Sequence, residues 1–165
     1  MATIEQYPLE RKKILKRWLN ASIGWAVLAL VGTFVASLAA QWNAMMGIAA
    51  FFIGTALLSG WQYLYETRYF TAYYYDIGKD FLAIRKGWIT PREVQLPYEK
   101  MQDVYMDQDI FDRVFGLWDV HVSTATMMSG MEAHMDGVNR TTAEKLREML
   151  LDKIKSKRGK VTGYD

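Results

Sequence analysis

No charged side chain occurs in residues 18–65, a run of 48 positions bounded by Arg17 and Glu66. One Arg, Lys or Asp at the centre of a bilayer-spanning helix costs about 2.5 to 3.5 kcal/mol, so a run of this length is selected rather than accidental. A helix rises about 1.5 Å per residue against a hydrocarbon core about 30 Å thick, so one crossing takes about 20 residues and this run accommodates two. The expected anchor is a helical hairpin over residues 19–65, with spans of about 20–41 and 45–65 divided at the amide pair Gln41 and Asn43.

Trp18 and Trp42 bracket the first span, and Trp61, Tyr63 and Tyr65 close the second, at the headgroup level that amphipathic rings prefer. Small residues recur four apart at Gly32, Ala36 and Ala40, at Ala50 and Gly54, and at Ala56 and Gly60. That spacing predicts a close-packed seam between the two helices.

The flanks predict orientation. Arg11, Lys12, Lys13, Lys16 and Arg17 precede the first span against only Glu5 and Glu10, and the connecting turn carries no charge. Positive-inside bias puts residues 1–18 in the cytoplasm as a basic amphipathic segment, and two crossings return residue 66 onward to the same side. The expectation is a multi-pass protein of the inner or plasma membrane with both termini cytoplasmic. A cleaved signal peptide is the competing reading, disfavoured because a second span follows at once. The absence of Cys fits a reducing compartment and leaves no thiol chemistry.

Residues 66–156 are enough for one small domain, followed by a basic tail over 157–165. Residues 66–152 hold 10 Lys or Arg against 15 Asp or Glu, whereas residues 153–160 add five positive charges and no negative one. A body of that sign does not point to nucleic acid. It opens with strand-like pieces at 69–77, 81–85 and 88–96, separated by turn residues. Further candidates lie at 101–105, 118–124 and 131–138, the last two joined through a Ser129-Gly130 turn. Pro91 argues for an edge or bulge in the third piece. An amphipathic helix closes the domain: Ala143, Leu146, Met149, Leu150 and Ile154 share one face, and Thr141 with Glu144 fits a capping box.

The segment 96–125 carries Leu96-Pro97, then Met101, Gln102, Asp103 and Val104, then Arg113 with Phe115, Gly116 and Leu117, then Thr124-Ala125. That series resembles the bacterial pleckstrin-homology-like, membrane-flanked domains, in which these elements are a corner, a strand, a turn and a strand end. Asp136, Gly137 and Val138 before the helix also fit. Met101 stands in an isoleucine place and Val114 separates Arg113 from Phe115. The resemblance covers roughly residues 21–155 and implies an α+β fold: a transmembrane hairpin, then a bent sheet or partial barrel of about seven strands capped by the C-terminal helix. It implies little chemistry, since the fold hosts lipid, peptide and protein binding alike.

The residues themselves offer few catalytic groups. The two histidines, His121 and His134, sit in no recognisable catalytic or metal motif, and there is no glycine-rich phosphate loop. Alternation with Val120 and Val122 points His121 away from the core as an ordinary, partly exposed histidine. Asp103, Asp107, Asp109 and Asp112 lack the glycine and terminal glutamate of a calcium loop and read as a solvated loop. Met127, Met128, Met131, Met135 and His134 could in principle hold a soft ion, but packing by methionine is the simpler reading. No catalytic residue, metal or cofactor is therefore expected. The remaining candidates are basic: Arg11, Lys12, Lys13, Lys16, Arg17, Lys155, Lys157 and Arg158 could each contribute about 1 kcal/mol against an anionic leaflet. The expected function is a non-enzymatic binding or scaffold module in the bilayer, engaging protein partners or anionic lipid headgroups, with assembly into homo-oligomers or with related membrane subunits. The alternative is an accessory subunit of a membrane enzyme or transporter.

Overall fold

The computed structural model describes residues 2–124 and 133–161, with side chains to residue 157. The chain forms two units, one of residues 1–13 with 71–165, the other of residues 14–70.

The second of these is a pair of helices. Helix α2 (Lys12–Ala40) and helix α3 (Ala44–Ala72) contain stretches long and apolar enough to cross a membrane. Large side chains along them, such as Phe34, Leu38, Phe52 and Leu57, are 63%, 68%, 66% and 70% exposed, the surface expected where the solvent is lipid. The reversal is tight: Gln41 adopts φ 50°, Trp42 donates its amide to the Ser37 carbonyl at 3.2 Å, and Asn43 Oδ1 caps the Met46 amide at 2.9 Å. Both helices outrun the uncharged stretch. Residues 69–72, expected in a strand, continue α3, while Tyr69 lies under the Arg17 guanidinium at 4.4 Å from its ring centroid.

The expected small-residue seam is not what joins the helices. A methyl group added at Gly32, Gly54 or Gly60 would meet nothing within 4 Å, and Ala40 and Ala56 are exposed, so these positions do not bring the backbones together. Ala36 and Ala50 are half-buried. A line of hydrogen bonds joins the helices instead. Trp18 Nε1 donates to the Ser59 carbonyl at 3.0 Å, the Ser22 and Ser59 hydroxyls pair at 2.9 Å, and Trp25 Nε1 donates to Gln62 Oε1 at 3.2 Å. Gln62 passes the chain of bonds to Glu66 at 2.8 Å, and Arg17 closes it on Glu66 at 2.6 Å. Trp18 and Trp25 are thus fastened by their ring nitrogens, where the sequence marked Trp18 only as an interfacial anchor. Trp42 and Tyr65 are half-buried, and Trp61 and Tyr63 are exposed.

In the other unit, helix α1 (Thr3–Gln6) is followed after the helical pair by strands β1 (Tyr74–Ile77), β2 (Phe81–Lys86) and β3 (Arg92–Pro97), an antiparallel sheet in sequence order. A 3-10 turn (Tyr98–Lys100) leads to β4 (Met101–Asp107), helix α4 (Ile110–Phe115), β5 (Trp118–Thr124), β6 (His134–Val138) and helix α5 (Arg140–Val161). Strands β4, β5 and β6 form a second antiparallel sheet. Among the described residues there are six strands in two three-stranded sheets, not about seven in one partial barrel. Pro97 ends β3 and caps the 3-10 turn, and β3 and β4 do not pair. Pro91 likewise falls just ahead of β3 rather than inside a strand.

The core is made of the inward positions of both sheets, including Leu82, Ile84, Val104, Val120, Val122 and Met135, closed by Ala143, Leu146, Leu150 and Ile154 of α5. Tyr98, fully buried, donates to the Gly78 and Phe81 carbonyls at 2.9 and 3.2 Å, and burial pushes its hydroxyl up to about 12. Helix α5 is capped by Asn139, whose Oδ1 accepts from the Thr142 amide at 2.9 Å, two positions before the Thr141 expected. The Arg113-to-Leu117 turn is a full helix, α4, with Asp109 and Asp112 as a reciprocal capping box and Gly116 as its left-handed C-cap at φ 68°. Two of the four clustered acids are thereby explained as caps. Residues 1–13 belong to this unit rather than to a free segment: the Thr3 amide and hydroxyl donate to Asp76 Oδ1 at 2.8 and 2.9 Å, and the Ile77 amide donates to the Thr3 hydroxyl at 2.9 Å.

Candidate functional site

Lys13, Tyr73, Lys86 of β2 and His134 of β6 gather around the Asp136 carboxylate. Alternation places His134 and Asp136 on one face of β6, His121 opposite His134 across the ladder, and Asp107 opposite Asp119. A register shift between Trp118 and Val120 accommodates Asp136 and Gly137.

Lys13, in the first turn of α2, reaches this face. Its Nζ lies 2.9 Å from Asp136 Oδ2, donates to the Asp136 carbonyl at 3.0 Å and sits 3.8 Å from the centroid of the Tyr73 ring, with 1% of the residue exposed. The Tyr73 hydroxyl donates to Asp136 Oδ1 at 2.8 Å and to the His134 carbonyl at 2.9 Å, and Lys86 Nζ approaches Asp136 Oδ1 at 3.5 Å. The Lys13 stem crosses Gly137, where a Cβ would stand 2.6 Å from Lys13 Cδ and the backbone has φ 82°. Only glycine meets both demands. The Glu10 amide donates to the Gly137 carbonyl at 2.9 Å and Asn139 Nδ2 to Glu10 Oε1 at 3.0 Å, so β6 is stitched to the N-terminal segment on both sides.

Burial by itself would raise the Asp136 carboxyl, but the Lys13 and Lys86 ammoniums outweigh it and hold the group well below the usual carboxylate range. Burial, only partly offset by Asp136, lowers Lys86 to about 8. Burial and the Lys86 charge lower His134 to about 4, so this ring is neutral at physiological pH. His134 stacks on His121 at 5.2 Å between centroids, and His121 stacks on Tyr105 at 5.1 Å while its Nε2 pairs with Asp107 Oδ1 at 3.0 Å.

Asp107, Asp119 and His121 place ligand atoms within 4.8 Å of one another and are the group that could hold a cation among the described residues. Asp107 Oδ1 pairs with His121 Nε2 at 3.0 Å, and Asp119 Oδ1 accepts from the Gly137 amide at 2.7 Å. The arrangement as a whole is a clamp on Asp136, in which Lys86 Nζ, lowered to about 8 and without a hydrogen-bond partner among the described residues, is the least satisfied member.

Of the basic residues expected at a lipid surface, Lys13 is corrected outright: its ammonium is buried on Asp136 and cannot reach a headgroup. Arg17 pairs with Glu66, and Lys157 pairs with Asp80 at 2.5 Å. Arg11, Lys12 and Lys155 are exposed, Lys16 is half-buried, and the Arg158 side chain lies outside the described residues. Among the motif residues, Leu96 and Leu117 are buried in the core and Pro97 ends β3. Gln102 and Asp103 are exposed on β4, Phe115 is half-buried at the end of α4, Gly116 caps that helix, and Arg113 is exposed on it. Thr124 ends β5, and Ala125, the Ser129-Gly130 turn, Met127, Met128 and Met131 lie outside the described residues. No local signal distinguished Lys13 from its four basic neighbours; its partner is 123 positions away.

No curated protein matches the chain, and no solved structure does. The pattern of the bacterial PH domain family matches residues 21–154, which takes in most of α2, all of α3, both sheets and most of α5. With that match over most of its length, the chain belongs to the bacterial PH domain family.

Proposed function

We propose that this chain is a membrane-anchored, cytoplasmic PH domain that works as a non-enzymatic binding or scaffold module, engaging protein partners or anionic lipid and assembling with copies of itself or related subunits. The observation that carries the reading is the pairing of two helices apolar enough to cross a bilayer with one small domain whose polar cluster is closed upon itself. PH-like domains are generally non-enzymatic, and a site whose carboxylates face ammonium, hydroxyl, amide or imidazole groups of the same fold fits that use. Recognition then falls to exposed surface: Arg11, Lys12 and Lys155 for anionic headgroups, and the outer edges of the two sheets for an added strand.

Native mass spectrometry of the chain extracted with its lipids tests this. Homo-oligomers or complexes with related subunits, carrying retained anionic lipid, are expected. A bare monomer retaining neither lipid nor protein overturns the reading, and stoichiometric recovery of an unrelated enzyme replaces it with the accessory-subunit alternative. A reporter fused after Asp165 tests topology, with activity in the cytoplasm expected.

A further inference from the structure

We infer that the tip of the β2-β3 hairpin is a second membrane contact, a rigid apolar finger that seats Trp88 and Ile89 among the headgroups of an anionic bilayer. This rests on the anchoring reading above and adds to it a specific surface.

Strand β2 ends at Lys86 and β3 begins at Arg92, leaving Gly87, Trp88, Ile89, Thr90 and Pro91 as the tip. Its shape is locked. Gly87 has φ 96°, a Cβ there would lie 2.4 Å from the Thr90 carbonyl oxygen, and Pro91 holds the chain as it returns to the sheet. A locked tip presents its side chains without the ordering cost of a flexible loop. Trp88 is 43% and Ile89 65% exposed, although both are large and apolar. Trp is the side chain most suited to the boundary between hydrocarbon and water.

Register fixes which end of the sheet carries the tip. Tyr74, two residues after the last residue of α3, pairs with Arg85, and Lys86 pairs with Arg92. The tip is therefore at the end of the sheet where β1, the first strand after α3, begins. Lys86, at the base of the tip, meets Asp136 together with Lys13, which belongs to the first turn of the other apolar helix.

Charge then chooses the occupant. Arg85, Lys86 and Arg92 flank the tip against one acid, the exposed Glu93 opposite Arg85, and this net positive charge complements an anionic surface. Among the described residues of this unit, Ile110 and Val114 on α4 form another exposed apolar pair, at 80% and 74%. It lies beside Asp107 and Asp109, which an anionic bilayer would repel. Each basic residue near such a surface favours the docked state by a factor of about five, so the two arginines together favour it about 25-fold.

The chain contains no Cys, so single-cysteine labelling needs no background removal. The full-length Ile89→Cys and Val114→Cys variants, each carrying an NBD fluorophore, are incorporated into nanodiscs of phosphatidylglycerol or of phosphatidylcholine, with and without headgroup-proximal nitroxide lipid. In phosphatidylglycerol the probe at 89 is expected to emit to the blue of the probe at 114 and to be quenched by the nitroxide lipid, while the probe at 114 is not. Adding Arg85→Gln and Arg92→Gln lowers the docked-to-free ratio about 25-fold and restores water-like emission. Equal emission at the two sites without quenching overturns the inference while leaving anchoring intact. A blue-shifted probe at 89 that lipid nitroxide does not quench also overturns it, assigning the tip to a protein contact. Release of the whole chain from the membrane by alkaline carbonate overturns the anchoring reading and this inference together.

Discussion

Replacing Asp136 by Asn isolates the clamp on β6. Asn keeps the shape and one acceptor oxygen for the Tyr73 hydroxyl, but it leaves the Lys13 and Lys86 ammoniums, 2.9 and 3.5 Å away, without their carboxylate. Removing one partner of a buried ion pair costs about 3 to 5 kcal/mol. Lys13, 1% exposed, has no route to water unless the N-terminal segment unseats. Lys86 has 16% of its side chain exposed and a pKa already lowered to about 8, so it can turn outward or release its proton. The lower end of the range follows, about 3 kcal/mol. Amide hydrogen exchange read by mass spectrometry on peptides covering residues 9–13 and 134–140 measures this without a global unfolding transition. The expected change is an acceleration on the order of a hundredfold, at about 1.4 kcal/mol per factor of ten. Adding Lys13→Met, which keeps the stem across Gly137 and removes the stranded charge, should recover more than half of the loss. Exchange in Asp136→Asn within about threefold of the parent, the range of an ordinary surface change, would refute the clamp.

Acid should loosen the same region. His134 is lowered to about 4 from 6.5 by burial, so its contribution is complete above pH 6.5 and is lost as pH falls from 6.5 towards 4. About 2 kcal/mol is expected after allowing for a ring 29% exposed, and His134→Gln should flatten the slope of stability against pH, followed by tryptophan fluorescence. Asn139→Ala should cost about 1 kcal/mol at the start of α5 and Thr141→Ala almost nothing, as read by exchange in the first turn of that helix. In the helical pair, Ser22→Ala and Trp25→Phe should each cost about 0.6 kcal/mol in SDS titration. Gly32→Ala and Gly54→Ala should leave the midpoint unchanged, because an added methyl meets nothing within 4 Å.

Much of the fold was legible along the chain. The uncharged run located two apolar helices and their turn, because the penalty on charge in hydrocarbon acts at every position and leaves a pattern that needs no partner. The pieces at 81–85, 101–105 and 118–124 correspond to β2, β4 and β5, where alternation and turn residues agree, and the apolar face of α5 was readable from its period. Boundaries were misjudged where one local preference met another. Residues 69–72 are aromatic enough for a strand yet continue α3, and Asn139 caps α5 where Thr141 and Glu144 offered a conventional box. The small-residue spacing in the apolar helices was also misleading, since Gly and Ala permit close approach without requiring it.

Side-chain chemistry read along the chain set the material of this protein: two stretches that favour lipid, one α+β domain with few reactive groups, and a set of basic residues, each property arising from side chains acting independently. The tertiary structure decided what individual charges do. Lys13 and Lys12 are neighbours of the same chemistry, yet one is buried on Asp136 across a glycine and the other is exposed. A pair between positions 13 and 136 exists only because β6 and the N-terminal segment meet in the folded chain, and an energy that depends on such proximity leaves no trace in the order of residues.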